Sequence, residues 1–218
     1  MKNKYLLKGA TLLMSFALWT FLIQVIDVKP IGVYGTNVGF STINQLFHQW
    51  TGVHHWLYNI TDWLGLIPII VCFGFATLGL FQLIKRKSLL KVDIDIILLG
   101  AYYLVVVAFF IGFEIVPINY RPILIEGVME ASYPSSTTLL VLSVMPTLAF
   151  QAKRKLKSSS YHKAVYAFTY IFCTLMIIGR LYSGVHWLTD IIGGILLSAG
   201  LFYLYIGTIV FIDNKSIN

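Results

Sequence analysis

The sequence has few charged residues and few cysteines, and both shortages limit what the chain can be. Only 11% of its 218 residues are charged, whereas 58% are hydrophobic. No soluble domain of this length has such a composition. The two cysteines, Cys72 and Cys173, fall in apolar stretches and lack the spacing of zinc ligands or of a disulfide framework. The composition therefore predicts a helical protein that crosses a membrane several times and carries no metal centre.

The chain also lacks internal repeats, low-complexity segments and any basic stretch interleaved with stacking aromatic residues. These absences argue against a solenoid and against a nucleic-acid partner. The net charge of +7 fits a set of basic loops close to anionic lipid headgroups better than a nucleic-acid surface. We expect one domain over residues 1–218.

Six apolar runs recur along the chain, and a helix needs roughly 20 residues to cross a hydrocarbon core of about 30 Å. The fourth run is the weakest, because its apolar part, 139–150, is short for a crossing. The pattern predicts an all-α fold, a bundle of six transmembrane helices. The expected spans lie near 8–26, 63–84, 94–113, 135–150, 164–179 and 187–212.

The basic residues support this count, because most of them fall on one side of a six-helix bundle. By the positive-inside rule that side is the cytoplasm. We therefore expect an integral protein of a bacterial plasma membrane with both termini in the cytoplasm. The first run has no small-x-small cleavage site after it, so we interpret it as an anchor rather than a signal peptide. The cytoplasmic set is Lys2, Lys4, Lys8, Lys85, Arg86, Lys87, Lys91, Lys153, Arg154, Lys155, Lys157, Lys163 and Lys215, and the opposite set is Lys29, Arg121 and Arg180.

The segment between the first two spans, 27–62, contains apolar residues at steps of three and four. This spacing predicts an amphipathic helix in the outer membrane interface, although Gly52 interrupts it. The apolar positions are Ile43, Leu46, Phe47, Trp50, Val53 and Leu57. His48, His54 and His55 lie in the same segment, but no carboxylate stands at ligand spacing, so we favour interfacial histidines, one of which can cover a site, over a metal centre.

Three ionisable residues close together, Arg180, His186 and Asp190, follow the fifth span. Arginine binds phosphate oxygens in a planar fork, histidine can attack phosphorus, and a carboxylate four residues later can hold the imidazole in one tautomer. Ionisable groups at membrane depth are usually functional. The spacing therefore indicates phosphoryl chemistry, while a buried polar pair with a snorkelling arginine is the alternative.

Two further groups lie at the same membrane level. Pro134 suits the first turn of a helix, and Ser135 and Ser136 follow it with hydroxyls and free backbone N–H groups. Such an end binds anions, although ordinary capping is the alternative. Arg121 can contribute a second guanidinium to the pocket, or simply anchor the bundle at the interface.

These residues match a known family. The string from Gly179 to Asp190 resembles the third signature of the type 2 phosphatidic acid phosphatases, Tyr120 to Pro122 resemble the end of the first, and Pro134 to Thr137 resemble the second. The resemblance implies an outward-facing pocket without metal or other cofactor. It implies that His186 forms a phosphohistidine oriented by Asp190, and that Arg121, Arg180, Ser135 and Ser136 hold the phosphate of a membrane lipid.

Two positions depart from the family pattern. Glu114 replaces the lysine that opens the first signature, and Thr137 replaces the histidine that protonates the leaving group. Loss of this acid costs least on a diphosphate, because phosphate leaves far more easily than an alkoxide. Glu126 and Glu130, in the loop between the two signatures, can replace the acid or be solvated charges. His54 and His55 are further candidates.

The sequence therefore predicts a membrane lipid phosphatase that favours a polyprenyl diphosphate and works through a phosphohistidine. Glu114 motivates an alternative, a weak or inactive protein that binds lipid phosphates, because a carboxylate near the pocket repels substrate unless it is paired. A phosphotransferase on the same scaffold is a third possibility. The oligomeric state is open.

Overall fold

The computed structural model describes residues 4–217, and over this range it contains eight α-helices and no β-strand. One-turn 3₁₀ helices at Val33–Gly35 and Leu89–Lys91 occupy two of the connections. The helices are α1 (Lys4–Val25), α2 (Ser41–Thr51), α3 (His55–Leu64), α4 (Leu66–Arg86), α5 (Ile94–Ile115), α6 (Ser136–Lys155), α7 (Ser159–Tyr182) and α8 (Leu188–Ile217).

Five stretches among the described residues are long and apolar enough to cross a membrane. They are Lys4–Val25, His55–Arg86, Ile94–Ile115, Ser159–Tyr182 and Leu188–Lys215. Large apolar side chains such as Met14, Phe73 and Leu104 are exposed along these helices, as expected where lipid is the solvent. The chain is an integral membrane protein, as its composition predicted.

The fourth predicted span forms the helix α6, but α6 is not among the five apolar stretches. It carries hydroxyl and amide side chains and ends in three basic residues, Lys153, Arg154 and Lys155. Its polar groups meet protein rather than lipid. The Gln151 amide donates to the Tyr205 hydroxyl, and the Tyr103 and Thr147 hydroxyls share a hydrogen bond.

The predicted interfacial helix is divided into two. α2 ends at Gly52, whose φ of 68° lies in the region that favours glycine, so the break falls at the residue that weakened the sequence pattern. α3 then starts at His55 and runs through Gly65 into α4, with its inner face against α7. This arrangement places α3 beside the last turn of α7, which carries Arg180.

The two terminal helices, α1 and α8, pack closely because glycines face leucines between them. A Cβ added at Gly9 would lie 2.8 Å from Leu204, and one added at Gly200 would lie 2.7 Å from Leu13. The main apolar core lies beside this seam, between α1, α5, α6 and α8. Its fully buried members include Ile23, Leu99 and Leu197.

The two ends of the bundle differ in chemistry. At one end Lys155 pairs with Asp93 and Asp95, and Arg154 pairs with Asp213, which ties the end of α6 to the start of α5 and to the end of α8. At the other end α5 and α7 finish and α6 and α8 begin. The residues singled out in the sequence lie at this second end.

Candidate active site

Five of the predicted site residues come from four neighbouring segments at one end of the bundle and are nearly inaccessible. Arg121 lies in the loop after α5, and Ser135 precedes α6. Arg180 lies in the last turn of α7, His186 in the following loop and Asp190 in the first turn of α8. Their exposed fractions are 8% for Arg121, 4% for His186 and 0% for the other three.

The two ring nitrogens of His186 have different partners. Nε2 lies 2.9 Å from Nη2 of Arg180, and Nδ1 lies 3.2 Å from the backbone carbonyl oxygen of Ser132. Because a guanidinium can only donate, Nε2 is the acceptor, and Nδ1 carries the proton that it donates to the carbonyl. The ring is therefore a neutral imidazole whose Nε2 lone pair points at an arginine.

Asp190 does not orient His186 through the direct hydrogen bond that the spacing suggested. His186 precedes the first residue of α8, so His186 and Asp190 do not share a helical face. The Oδ2 atom of Asp190 lies 3.7 Å from Nδ1 of His186, which is too far for a hydrogen bond. The carboxylate instead accepts the Trp187 backbone N–H at 2.9 Å and the Asn119 amide at 3.3 Å. It braces the loop on which His186 sits.

The surroundings of His186 favour its uncharged form. Burial lowers the pKa of His186 well below its ordinary value, and the positive charges of Arg121 and Arg180 lower it further. The hydrogen bond to the Ser132 carbonyl opposes these effects. Neutral imidazole is the nucleophilic form, so the pocket keeps the side chain ready for attack at and below neutral pH.

The two arginines share one aromatic surface. The guanidinium carbons of Arg180 and Arg121 lie 5.2 Å and 5.8 Å from the ring centre of Tyr58, on α3. Nη1 of Arg180 also contacts the Thr61 hydroxyl at 3.4 Å and lies 3.9 Å from a carboxylate oxygen of Asp62. α3 therefore holds the arginine pair together, and the sequence pattern did not predict this role.

The arginines retain donors for a further acceptor. Nε of Arg121 lies 3.0 Å from a carboxylate oxygen of Glu130, without the angle of a hydrogen bond. Nη1 of Arg121 and Nε of Arg180 are buried and have no hydrogen-bond partner. Buried donors without acceptors are costly, and a phosphate group would satisfy both.

The start of α6 behaves partly as a cap. The Ser135 hydroxyl accepts the Thr138 backbone N–H at 3.5 Å, and the Ser135 N–H donates to the Asp190 carbonyl at 3.1 Å. Both groups are thus engaged, as the capping alternative predicted for Ser135. Ser136, the first residue of the helix, lines a cavity of about 10 Å³ together with Glu114 and Ser132.

The carboxylates that the sequence singled out lie at different distances from this centre. Glu114 borders the small cavity and is not a partner in the ion pairs of Arg121 or Arg180. Glu130 pairs with Arg121, whereas Glu126 is exposed at a tight turn closed by Ile125 and Val128. Of the two glutamates in this loop, only Glu130 reaches an arginine.

Two of the three histidines of the outer segment, His48 and His54, contact the loop that carries His186. The His48 ring lies 3.0 Å from the Gly184 carbonyl, and the His54 backbone N–H donates to the Ser183 carbonyl at 3.0 Å. The His54 ring contacts the Thr51 carbonyl at 3.0 Å, so it is turned toward backbone. These contacts cover the loop, which matches the roofing role considered for one of them.

Comparisons with known proteins show which proteins the chain resembles in sequence and in fold. The chain is 33% identical over 90 residues to phosphatidylglycerophosphatase B of Bacillus subtilis (strain 168), a match that covers 41% of this chain and 43% of that protein. The chain thus spans less than half the length of this curated relative. In fold it resembles a solved transmembrane PAP2 type phosphatidylglycerolphosphate phosphatase from Bacillus subtilis, with a TM-score of 0.63 and 20% identity over 95% of this chain and 96% of that one.

The family match covers the helices that carry the site. Residues 105–211 match the PAP2 superfamily, and this range runs from the middle of α5 into the last turns of α8. It contains Arg121, Ser135, Arg180, His186 and Asp190. This part of the chain therefore matches the PAP2 superfamily, as its three short motifs predicted.

Proposed function

We propose that the protein is a membrane lipid phosphatase that removes the terminal phosphate from a lipid diphosphate through a phosphohistidine on His186. The observation that carries this proposal is that the two ring nitrogens of His186 have different partners. The Ser132 carbonyl accepts a hydrogen bond from Nδ1, and Nε2 faces the buried guanidinium of Arg180. When a substrate phosphate replaces Nε2 as the acceptor of the Arg180 hydrogen bond, the lone pair of Nε2 becomes free to attack phosphorus.

The reaction has two balanced steps. Nε2 of His186 attacks the terminal phosphorus, the bond to the bridging oxygen breaks, and the lipid monophosphate leaves with the electron pair. Water then attacks the phosphorus of the phosphohistidine, and inorganic phosphate is released as the P–N bond breaks. Arg121 and Arg180 balance the charge on the phosphoryl oxygens, with the Ser136 N–H at the start of α6 as a further donor.

The preference for a diphosphate follows from Thr137. A lipid monoester releases an alkoxide, whose conjugate acid is far weaker than that of a phosphate, so it needs a proton that threonine does not supply. A phosphate leaving group has a second pKa of roughly 6 and departs without one. The curated relative is named for a phosphatidylglycerophosphatase activity, so the monoester phosphatidylglycerophosphate is the natural competing substrate.

The proposal includes six membrane crossings with the site on the outer side. At 20 residues, α6 is about 30 Å long, which matches the hydrocarbon thickness. Its low apolarity reflects its neighbours, because α4, α5, α7 and α8 all contact it. The basic end of the bundle then faces the cytoplasm by the positive-inside rule, and the amphipathic α2 lies in the outer interface.

The test is phosphate release by the purified protein in lipid micelles, offered a polyprenyl diphosphate, phosphatidylglycerophosphate and phosphatidate under matched conditions. We expect the diphosphate to have the highest kcat/KM, and His186→Ala to abolish release from every substrate. The phosphohistidine is identified by quenching the reaction during turnover: the phosphate should stay bound to the wild-type protein in base and be released in acid.

Two results would contradict the proposal. Higher kcat/KM on either monoester would overturn the substrate preference. Tight binding of lipid phosphate without turnover, unchanged in His186→Ala, would instead support the alternative of a lipid-phosphate-binding protein. His162→Ala serves as the control variant, because His162 lies at the opposite end of the bundle, near the start of α7.

A further inference from the structure

Thr137, which stands where the family has its acid histidine, lies close to the turn that contains Asp62. A Cβ added at Gly65 would lie 3.4 Å from the methyl group of Thr137, so Thr137 faces the junction of α3 and α4. The Gly65 N–H donates to the carbonyls of Thr61 and Asp62 at 3.0 Å, which makes Asp62 part of the same turn. A histidine at position 137 would project toward this corner.

Asp62 also reaches the phosphate-binding arginine. Its Oδ1 lies 3.9 Å from Nη1 of Arg180, while Nη2 of the same guanidinium lies 2.9 Å from Nε2 of His186. The carboxylate and the nucleophile thus stand on either side of one guanidinium. An in-line displacement needs an acid in that place, on the far side of the phosphoryl group from the attacking nitrogen.

The other acidic and imidazole candidates are less well placed. The Glu130 carboxylate is held by Arg121 at 3.0 Å, and the His54 ring is held by the Thr51 carbonyl. Glu126 lies in an exposed turn. Asp62 has a longer contact with its arginine, and its side chain is 59% exposed, so it can exchange protons with water.

We propose that Asp62 is the proton donor to the leaving oxygen when the substrate is a lipid phosphate monoester, whose leaving group is an alkoxide. This inference rests on the proposed function and extends its substrates to monoesters, which turn over more slowly than diphosphates. The role differs from that of Glu130, which only balances the charge of Arg121.

The proton balance closes over one cycle. As Nε2 of His186 attacks phosphorus, the P–O bond to the lipid breaks and the Asp62 carboxyl gives its proton to the departing oxygen, which leaves as an alcohol. In the second step the Asp62 carboxylate takes a proton from the attacking water. Inorganic phosphate leaves, and both Asp62 and His186 return to their starting states.

The experiment compares substrates whose leaving groups differ in their need for a proton. Wild type, Asp62→Asn and the matched control Glu130→Gln are assayed for kcat on phosphatidylglycerophosphate, on 4-nitrophenyl phosphate and on a polyprenyl diphosphate. General acid catalysis contributes about 10²- to 10⁴-fold. We expect Asp62→Asn to lose a factor in that range on the lipid monoester, and less than about tenfold on the other two substrates.

If Asp62 only positions Arg180, the loss of kcat should not depend on the leaving group of the substrate. If Asp62→Asn lowers kcat equally on all three substrates, or on none of them, the inference is overturned. A Glu130→Gln variant that reproduces the substrate-dependent loss would also overturn it. Retained turnover of the diphosphate shows that the variant is folded.

A second variant gives an independent check. We expect Thr137→His in the Asp62→Asn background to restore monoester kcat by at least about tenfold, because it returns a proton donor to the same corner. Failure to restore it would count against Asp62 as the donor. The proposed function fails separately, through unchanged phosphate release by His186→Ala.

Discussion

At the scale of single residues, the contact between Arg180 and His186 has two opposed effects. After burial and the charge of Arg121, the Arg180 guanidinium also keeps the imidazole neutral, because a further positive charge beside it is unfavourable. It also covers Nε2, the atom that has to reach phosphorus, at 2.9 Å. In the proposed mechanism the substrate therefore draws Arg180 away from the ring before attack, and the arginine couples phosphate binding to exposure of the nucleophile.

The low pKa of His186 leads to a prediction about pH. Because burial and the two arginines lower this pKa, the imidazole stays uncharged as the pH falls through the ordinary histidine value of about 6.5. The acid limb of kcat/KM, which reports groups of the free enzyme, should therefore have its midpoint below pH 6.5. The measurement is kcat/KM for a diphosphate from pH 4.5 to 8.

The titration of the substrate has to be separated from that of the protein. A second substrate, 4-nitrophenyl phosphate, has its own phosphate pKa, so a limb common to both substrates belongs to the protein. A common midpoint at or above pH 6.5 would contradict the neutral, buried imidazole.

Sequence reasoning named the charged residues that the structure brings together at this end of the bundle, but not the groups that orient them. Arg121, Arg180, His186 and Asp190 were predictable because ionisable residues stand out in an apolar chain. The carbonyl of Ser132, which holds His186, has no sequence signal, since every residue has a carbonyl. Tyr58 and Asp62 were missed because their place depends on how α3 packs against α7.

At the scale of elements, helix α6 shows why hydropathy alone undercounts buried helices. It contacts four other helices, so its hydroxyl and amide groups find protein partners. The apolar run 139–150 and the hydroxyl residues before it predicted a span over 135–150, one residue from the observed start of α6, but the weak apolarity of the helix follows from neighbours that no local pattern reveals. The divided outer segment has a local cause, because Gly52 at a φ of 68° ends α2.

The loop between α7 and α8 depends on a second glycine. Gly184 has a φ of 70°, and an added Cβ would lie 2.1 Å from the carbonyl oxygen of Gly52. Gly184→Ala should therefore displace the loop that carries His186. We expect kcat/KM to fall at least tenfold, since a misplacement of about 1 Å can cost about 10²-fold.

A matched control separates the clash from the backbone preference. Gly127 has a similar φ of 80°, but an added Cβ there would meet nothing within 4 Å. Gly127→Ala carries the same conformational penalty without the contact, so it should change kcat/KM by less than about threefold. If the two variants lose equal factors in kcat/KM, the clash with Gly52 is not the cause of the loss in Gly184→Ala.

At the scale of the whole molecule, the distribution of charge gives the bundle a direction. Ion pairs join the end of α6 to the start of α5 and to the end of α8 at one end, and the arginine pair occupies the other. A membrane topology can be proposed from the sequence because it depends on the placement of basic residues along the chain. The bracing of one helix by another depends on packing and cannot be proposed in this way.

The proposed topology can be tested with reporters of membrane side. Reporter insertions at Ser88 and Lys157 should be active in the cytoplasm, and insertions at Gly35 and Glu126 should be active outside. Glu126 and Lys157 flank α6. If the reporters at these two positions are active on opposite sides of the membrane, α6 is the fourth crossing. The same side for both would mean that α6 does not cross.

The seam between α1 and α8 has a consequence for the site. The Trp19 indole N–H donates to the Thr189 carbonyl at 3.2 Å, and the Thr20 and Tyr133 hydroxyls lie 2.7 Å apart. These bonds tie α1 to a neighbour of Asp190 and to a neighbour of Ser132. Helix α1, which has the composition of a leader sequence, is thus part of the wall of the candidate active site. Cutting the chain behind it would expose Gly200 of α8 and release the segment whose Ser132 carbonyl orients His186.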